Sequence, residues 1–190
     1  DVYPTLAFRG TVKLHGTNAG IKRENGEFFA QSRKNTLNVQ SDNAGFCQFL
    51  RNCQNSDIEK LHDLFDKVCS DRNIPITIFG EWIGKGIQSI VSISELDKQL
   101  VIFGAYNHEL EVYLDNRVNL SIPEFNIHNI LEVDPFMIFI DFNDPTPAIE
   151  EIEKLTLAVE ENCPWGSKQG IDGIGEGIVW QCLDNLSETS

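Results

Sequence analysis

The stretch LAFRGTVKLHGTNAGIKRENGEFFAQSRK, residues 6–34, decides the fold class. Residues 6–15 are apolar and strand-like, and Gly16 ends the run. Residues 19–34 then read as two strands joined at Asn25-Gly26, a dipeptide that tolerates positive φ and closes tight hairpins. Working outward, residues 42–70 carry a helical pattern. Leu61, Leu64, Phe65 and Val68 fall at i, i+3, i+4 and i+7 on one apolar face, and Ser56-Asp57 offers a cap for the second half. IPITIFGEWI, residues 74–83, reads as a buried strand. QLVIFGAY (99–106) and LEVYL (110–114) read as a strand pair, PFMIFIDF (135–142) as a further strand and EGIVWQCL (176–183) as the last. Pro147 suits the first turn of a helix reaching Glu161, and Glu150-Glu151 suits its dipole. Together these segments predict a mixed α+β domain of antiparallel sheets with helices packed on them.

Composition narrows the function classes. A chain of 190 residues with 41% hydrophobic and 23% charged residues is long and apolar enough for a real core. No apolar run reaches the roughly 18 residues of a membrane span, so no membrane partner is expected. The chain opens at Asp1 without Met, and no signal or transit peptide is visible in it. Cys47, Cys53, Cys69, Cys163 and Cys182 form no C-x-x-C pair and no zinc-like cluster; they read as reduced thiols of an intracellular protein. The net charge of −14 argues against a general nucleic-acid binder. The charge is uneven: residues 1–54 are net +3 and the remainder net −17. A phosphate-facing surface would therefore draw on the first quarter of the chain.

Lys13 stands in K-L-H-G-T-N at the end of the first strand-like run. Arg33 follows in AQSRKN, Glu81 in IFGEWIGKGI, Phe103 in VIFGAYN and Glu176 in EGIVW. These five blocks, in this order, resemble the nucleotidyltransferase domain of ATP-dependent RNA ligases, the group that includes phage RNA ligase 2 and the trypanosome RNA-editing ligases. The resemblance covers Lys13 to Trp180. It implies an α+β adenylyltransferase domain over residues 1–190 with an ATP-grasp-like catalytic core, using ATP and Mg²⁺ (or Mn²⁺) to join RNA 5′-phosphate and 3′-hydroxyl ends. The family's last motif, two lysines on a strand soon after E-G-x-V, has no counterpart here, because no Lys or Arg follows Glu176. The expectation is that the chain is cut short before that motif and before any C-terminal domain, the alternative being that this domain lacks the motif.

The resemblance also implies roles. Lys13 is the nucleophile that attacks the α-phosphorus of ATP and carries lysyl-AMP. A lysine with an ordinary pKa of about 10.4 must lose a proton first, and burial or a nearby cation would help. Lys13 is therefore expected to be desolvated and close to the metal. His15 and Gly16 shape the turn after it, His15 through a structural hydrogen bond and Gly16 through a close backbone approach. Thr17 caps or braces that turn. Asn18 binds ribose or phosphate, or is an Asx-turn residue. Arg33 offers a planar fork to phosphate, and Lys34 reads as solvated or as a weak RNA phosphate contact. Glu81 binds the ribose hydroxyls. Phe103 stacks on adenine or packs in the core, with Tyr106 as the second choice for stacking. Glu176 serves as a metal-side carboxylate. Trp82 reads as core or pocket wall. His62 and Asp63 read as solvated helix-face residues, and Gly84-Lys85-Gly86 lacks P-loop spacing.

Three functions fit this reading: an ATP-dependent RNA ligase, a non-catalytic nucleotide- or RNA-end-binding domain, and a DNA ligase or mRNA guanylyltransferase. The His15 position favours the first by family likeness. The sequence leaves open whether the substrate is a nicked duplex or a single strand, and the oligomeric state.

Overall fold

The computed structural model describes residues 2–32, 36, 42–114 and 120–184. They form two compact units. The larger holds Gly16–Ser89 and Asp97–Glu132; the smaller holds Asp1–His15, Ile90–Leu96 and Val133–Ser190.

In the smaller unit, β1 (Thr5–Val12) is the middle strand of a three-stranded antiparallel sheet between β8 (Phe136–Asp141) and β9 (Ile178–Cys182). Helix α2 (Thr146–Glu161) lies against β8. Pro147 is in its first turn, as the sequence suggests, whereas Glu150 and Glu151 lie beyond that turn, out of best reach of the dipole. The short helix α3 (Pro164–Lys168) packs beside a 3₁₀ turn at Ser92–Glu95. Buried Ile93, Ile138, Val159, Cys163 and Trp165 fill this unit.

The larger unit is built on a six-stranded sheet. Its strands are β2 (Thr17–Glu24), β3 (Glu27–Gln31), β4 (Ile76–Ile83), β5 (Gln99–Asn107) and β6 (Val112–Leu114), in the order β3-β2-β4-β5-β6, with β7 (Ile127–Asn129) parallel to β5. Asn25 and Gly26 adopt φ 52 and 76, so the β2–β3 turn has the positive φ at both central positions that a type I′ hairpin needs. Helix α1 (Phe46–Asp66) covers one sheet face. Its Phe46, Leu50, Leu61, Leu64 and Phe65 bury against Ala19, Ile21, Ile76, Ile78, Leu100 and Ile102. Each such large side chain contributes about 1.5–3 kcal/mol of transfer free energy. The Asp42 carboxylate accepts the Cys47 N–H at 2.7 Å and satisfies a free donor at the helix start. At Asp57 the backbone leaves helical geometry (φ −163, ψ 92), so Ser56-Asp57 does mark a second helix start inside α1.

His62 corrects the sequence reading. It is 6% exposed, and its ring lies 4.7 Å from that of Phe28. Burial first, then the charges of Arg72 and Arg23, hold its pKa below the ordinary value, so the ring is neutral at neutral pH. Beside it, fully buried Arg23 donates to Asp66 at 2.7 Å and to the Cys69 carbonyl at 2.8 Å, tying β2 to the end of α1. Asp63 is exposed, as expected. All five cysteines are free thiols, and burial pushes that of Cys53 up to about 12. Among the described residues no helix is long and apolar enough to cross a membrane.

Candidate active site

Lys13 is positioned by the pairing of the chain's first and last strands. The antiparallel register of β1 and β9 ends at Val12 opposite Ile178. One residue on, the Lys13 N–H donates to the Gly177 carbonyl at 2.8 Å. Gly177 has φ +134, a conformation that side chains rarely adopt, and this lets the chain turn into β9 with Glu176 beside Lys13. The Lys13 ammonium Nζ sits 3.1 Å from Glu176 Oε1, and His15 Nδ1 sits 3.4 Å from Glu176 Oε2. One carboxylate thus meets two side chains of the K-L-H-G block.

This differs from the expected desolvated lysine. The Lys13 side chain is 52% exposed and the Glu176 side chain 31%. The pair is open to water, and in this geometry the lysine is neutralised by a carboxylate. An ammonium is no nucleophile, since its lone pair becomes available only after the proton leaves.

The other implied residues lie in the larger unit. Gly16 is needed for packing within its own sheet, since a Cβ there would overlap the Trp82 carbonyl. Gln88, in the Gly86-Ile87-Gln88 run, donates from Nε2 to the Gly16 carbonyl at 3.4 Å. That contact has no signal in local sequence, because the partners are 72 residues apart. Thr17 Oγ1 lies 3.3 Å from the Asn43 side-chain amide, and Asn43 Nδ2 also donates to the Asn18 carbonyl. Asn18 pairs directly with Glu81 across β2 and β4, and Glu81 with Val101 on β5. Their strand neighbours Ala19, Trp82, Leu100 and Ile102 are core residues under α1, so strand alternation turns Asn18 and Glu81 to the opposite face. The pairings Phe79–Gly104 and Gly80–Ile102 leave Phe103 as the extra residue of a β-bulge, half-buried and outside the core cluster. Trp82 is core: it is 1% exposed and donates from Nε1 to the Ala44 carbonyl at 3.0 Å. Arg33 and Lys34 lie outside the described residues.

Among the described residues no group of three or more His, Cys, Asp or Glu comes together to hold a metal. Glu176 supplies a single carboxylate. That fits an ion arriving with phosphate and water ligands, as magnesium does with one or two protein carboxylates, and does not fit an all-protein cage.

Comparison with known proteins follows from this geometry. The family model described as RNA ligase matches residues 7–190. Among solved structures, a lysine-to-alanine variant of the Naegleria gruberi RNA ligase with ATP and Mn superposes with a TM-score of 0.59 at 19% identity. A lysine-to-methionine variant of that ligase with AMP and Mn gives 0.59 at 20%, and the ligase with PPi gives 0.58 at 19%. Each match covers 94% of this chain and 47% of the other, so the chain spans about half the length of these ligases. At this identity the likeness is one of fold. No curated protein sequence matches.

Proposed function

The chain belongs to the RNA ligase family, and on that premise we propose that residues 1–190 are the nucleotidyltransferase domain of an ATP-dependent ligase that joins RNA ends through lysyl-AMP on Lys13. The observation that carries this reading is the 3.1 Å pairing of Lys13 with Glu176, which joins the first and last of the five sequence blocks at one place.

The chemistry runs in three displacements at phosphorus. First, the neutral Lys13 amine attacks the α-phosphorus of ATP; the N–P bond forms, the P–O bond to the β-phosphate breaks and pyrophosphate leaves. Second, an oxygen of an RNA 5′-phosphate attacks the same phosphorus; the N–P bond breaks and AMP passes to the RNA. Third, the 3′-hydroxyl of the other strand attacks the RNA 5′-phosphorus and AMP departs. Each step depends on alignment and charge neutralisation more than on covalent help from the protein. Bound Mg²⁺ or Mn²⁺ supplies charge neutralisation on the phosphate oxygens. Glu176 is the carboxylate that would hold it once Lys13 has turned away. His15 keeps Glu176 oriented. Asn18 and Glu81, neighbours on one sheet face, serve the ribose hydroxyls, Arg33 the phosphates and Phe103 the adenine ring.

The test follows the label. Protein incubated with α-labelled ATP and a divalent metal takes up label, and RNA bearing a 5′-phosphate then removes it as adenylated RNA. Labelled GTP gives no adduct. A protein that binds ATP without ever taking up label supports the non-catalytic reading, and one that takes up GTP instead supports the guanylyltransferase reading.

A further inference from the structure

The larger unit carries a cavity of about 420 Å³ on the sheet face opposite α1, within the size range of small-ligand sites. Gly20 lines its floor, and Gly104 lies beside the lining residue Phe79. Gly20 and Gly104 flank Phe79 from either side in the sheet. A Cβ on Gly104 would stand 3.2 Å from the Phe79 ring, and one on Gly20 would stand 3.1 Å from Thr77 Cγ2. The wall is aromatic: Tyr106 lies 4.8 Å from both Tyr113 and His108 between ring centres, and Tyr113 meets Phe79 edge-on at 5.9 Å. Tyr113 is 77% exposed, and among the described residues its ring contacts are the cavity aromatics Phe79 and Tyr106. Polar groups converge on the same space. Thr77 Oγ1 lies 2.7 Å from His108 Nε2 and 3.3 Å from Gln31 Oε1, and Asn18 stands at the cavity as the last residue of the K-L-H-G-T-N block.

The lining has no Asp, Glu, Lys or Arg among the described residues. Burial first, then the charge of Lys22, holds the His108 pKa below its ordinary value against the opposing Glu24, so this ring is neutral at neutral pH. Such a cavity suits a flat, uncharged ring system with hydrogen-bonding edges. Its described lining offers a phosphate dianion no charged partner.

We propose that this cavity is a subsite for the terminal nucleoside of the RNA strand that ends in a free 3′-hydroxyl, stacked on Tyr106 and Tyr113 and hydrogen-bonded by Gln31. The choice of RNA rests on the ligase reading above; the preference for a neutral planar ring rests on the cavity alone. Of the two strands a ligase joins, the hydroxyl-ended one brings no terminal phosphate, which matches the neutral lining. In a chain of net charge −14, grip on RNA through stacking also avoids dependence on backbone attraction.

The experiment titrates a dye-labelled five-nucleotide RNA with a free 3′-hydroxyl into the purified protein and reads its anisotropy. Tyr113→Ala raises Kd by at least about fivefold, the lower end of base–aromatic stacking, while Tyr113→Phe stays near the unmodified protein. A 3′-phosphate on the same RNA weakens binding by a similar factor, and saturating ATP leaves binding in place. Unchanged Kd in Tyr113→Ala overturns the subsite. Tolerance of the 3′-phosphate overturns the assignment of the strand end, and displacement by ATP shows the cavity to be the adenine site instead. Adduct formation from labelled ATP is scored separately: a protein that makes no adduct yet binds RNA in this pattern loses the ligase reading and keeps the subsite.

Discussion

Arg23 in the larger unit and Lys13 in the smaller both meet a carboxylate, at 2.7 and 3.1 Å. The guanidinium of Arg23 is 0% exposed, whereas the Lys13 side chain is 52% exposed. Arg23 has its Nη groups committed to Asp66, the Cys69 carbonyl and the His62 carbonyl. It acts as a fastener between β2 and α1. Lys13 is bound to one half-open carboxylate and can leave it. The same pairing of charges fastens two elements where it is buried and multiply bonded through Nη, even with Arg23 Nε left without a partner, and stands open to water where Lys13 meets Glu176.

Substitution at the two cations should separate these roles. Lys13→Met is expected to lower AMP uptake by at least about 10³-fold, read by label on the protein, because the nucleophile itself is lost. Its unfolding midpoint in urea should stay within error of the unmodified protein. Arg23→Met removes the buried partner of Asp66, which keeps its bond to Arg72 at 3.1 Å, and is expected to cost about 1–3 kcal/mol in urea unfolding. If both substitutions cost stability equally, the distinction between the two pairs is lost.

Acid should expose the difference more gently. His62 and His108 both titrate below the ordinary histidine value of about 6.5. The unfolded chain therefore binds more protons than the folded one as pH falls through that value, and stability declines from there downward. Asp66 behaves as a second stage. Burial would raise its carboxyl, but the combined bonds and charges of Arg23 and Arg72 outweigh this and hold it below the usual range. Its stabilising share persists above about pH 4 and is lost as pH falls through the lowered folded value. Urea midpoints measured from pH 8 to pH 3 should show both stages, and Arg23→Met should blunt the lower one. The smallest effect is expected at Glu176→Gln, where loss of a half-exposed pair costs under about 1 kcal/mol of stability.

Much of this architecture was legible in the chain because it rests on local pattern. The Asn25-Gly26 hairpin, the buried run before Glu81, the Pro147 helix start and the break at Ser56-Asp57 all follow from spacing and turn chemistry. What was hidden depends on partners distant in sequence. Arg23 sits in a Lys-Arg-Glu run that reads as solvated, and its carboxylate is 43 residues away. His62 lies on the flank of the apolar face set by Leu61 and Phe65, and Phe28 and Arg23, both far away in sequence, pack against its ring. The three-residue β7 and the five-residue α3 are too short to carry a period. Family likeness brought Lys13 and Glu176 into one proposal, but their contact needed the β1–β9 register, which no local pattern encodes. The cavity beside Phe79 was missed because its lining is spread over β2 to β6, and only Asn18 and Tyr106 of that set had been singled out.

The central claim is that Lys13 carries AMP. The most direct measurement is the intact mass of the protein after incubation with ATP and a divalent metal, followed by peptide mapping of any adduct. The account predicts a gain of one AMP, confined to the peptide containing Lys13 and released by pyrophosphate. An unmodified protein, or an adenylate mapped to any other side chain, contradicts it.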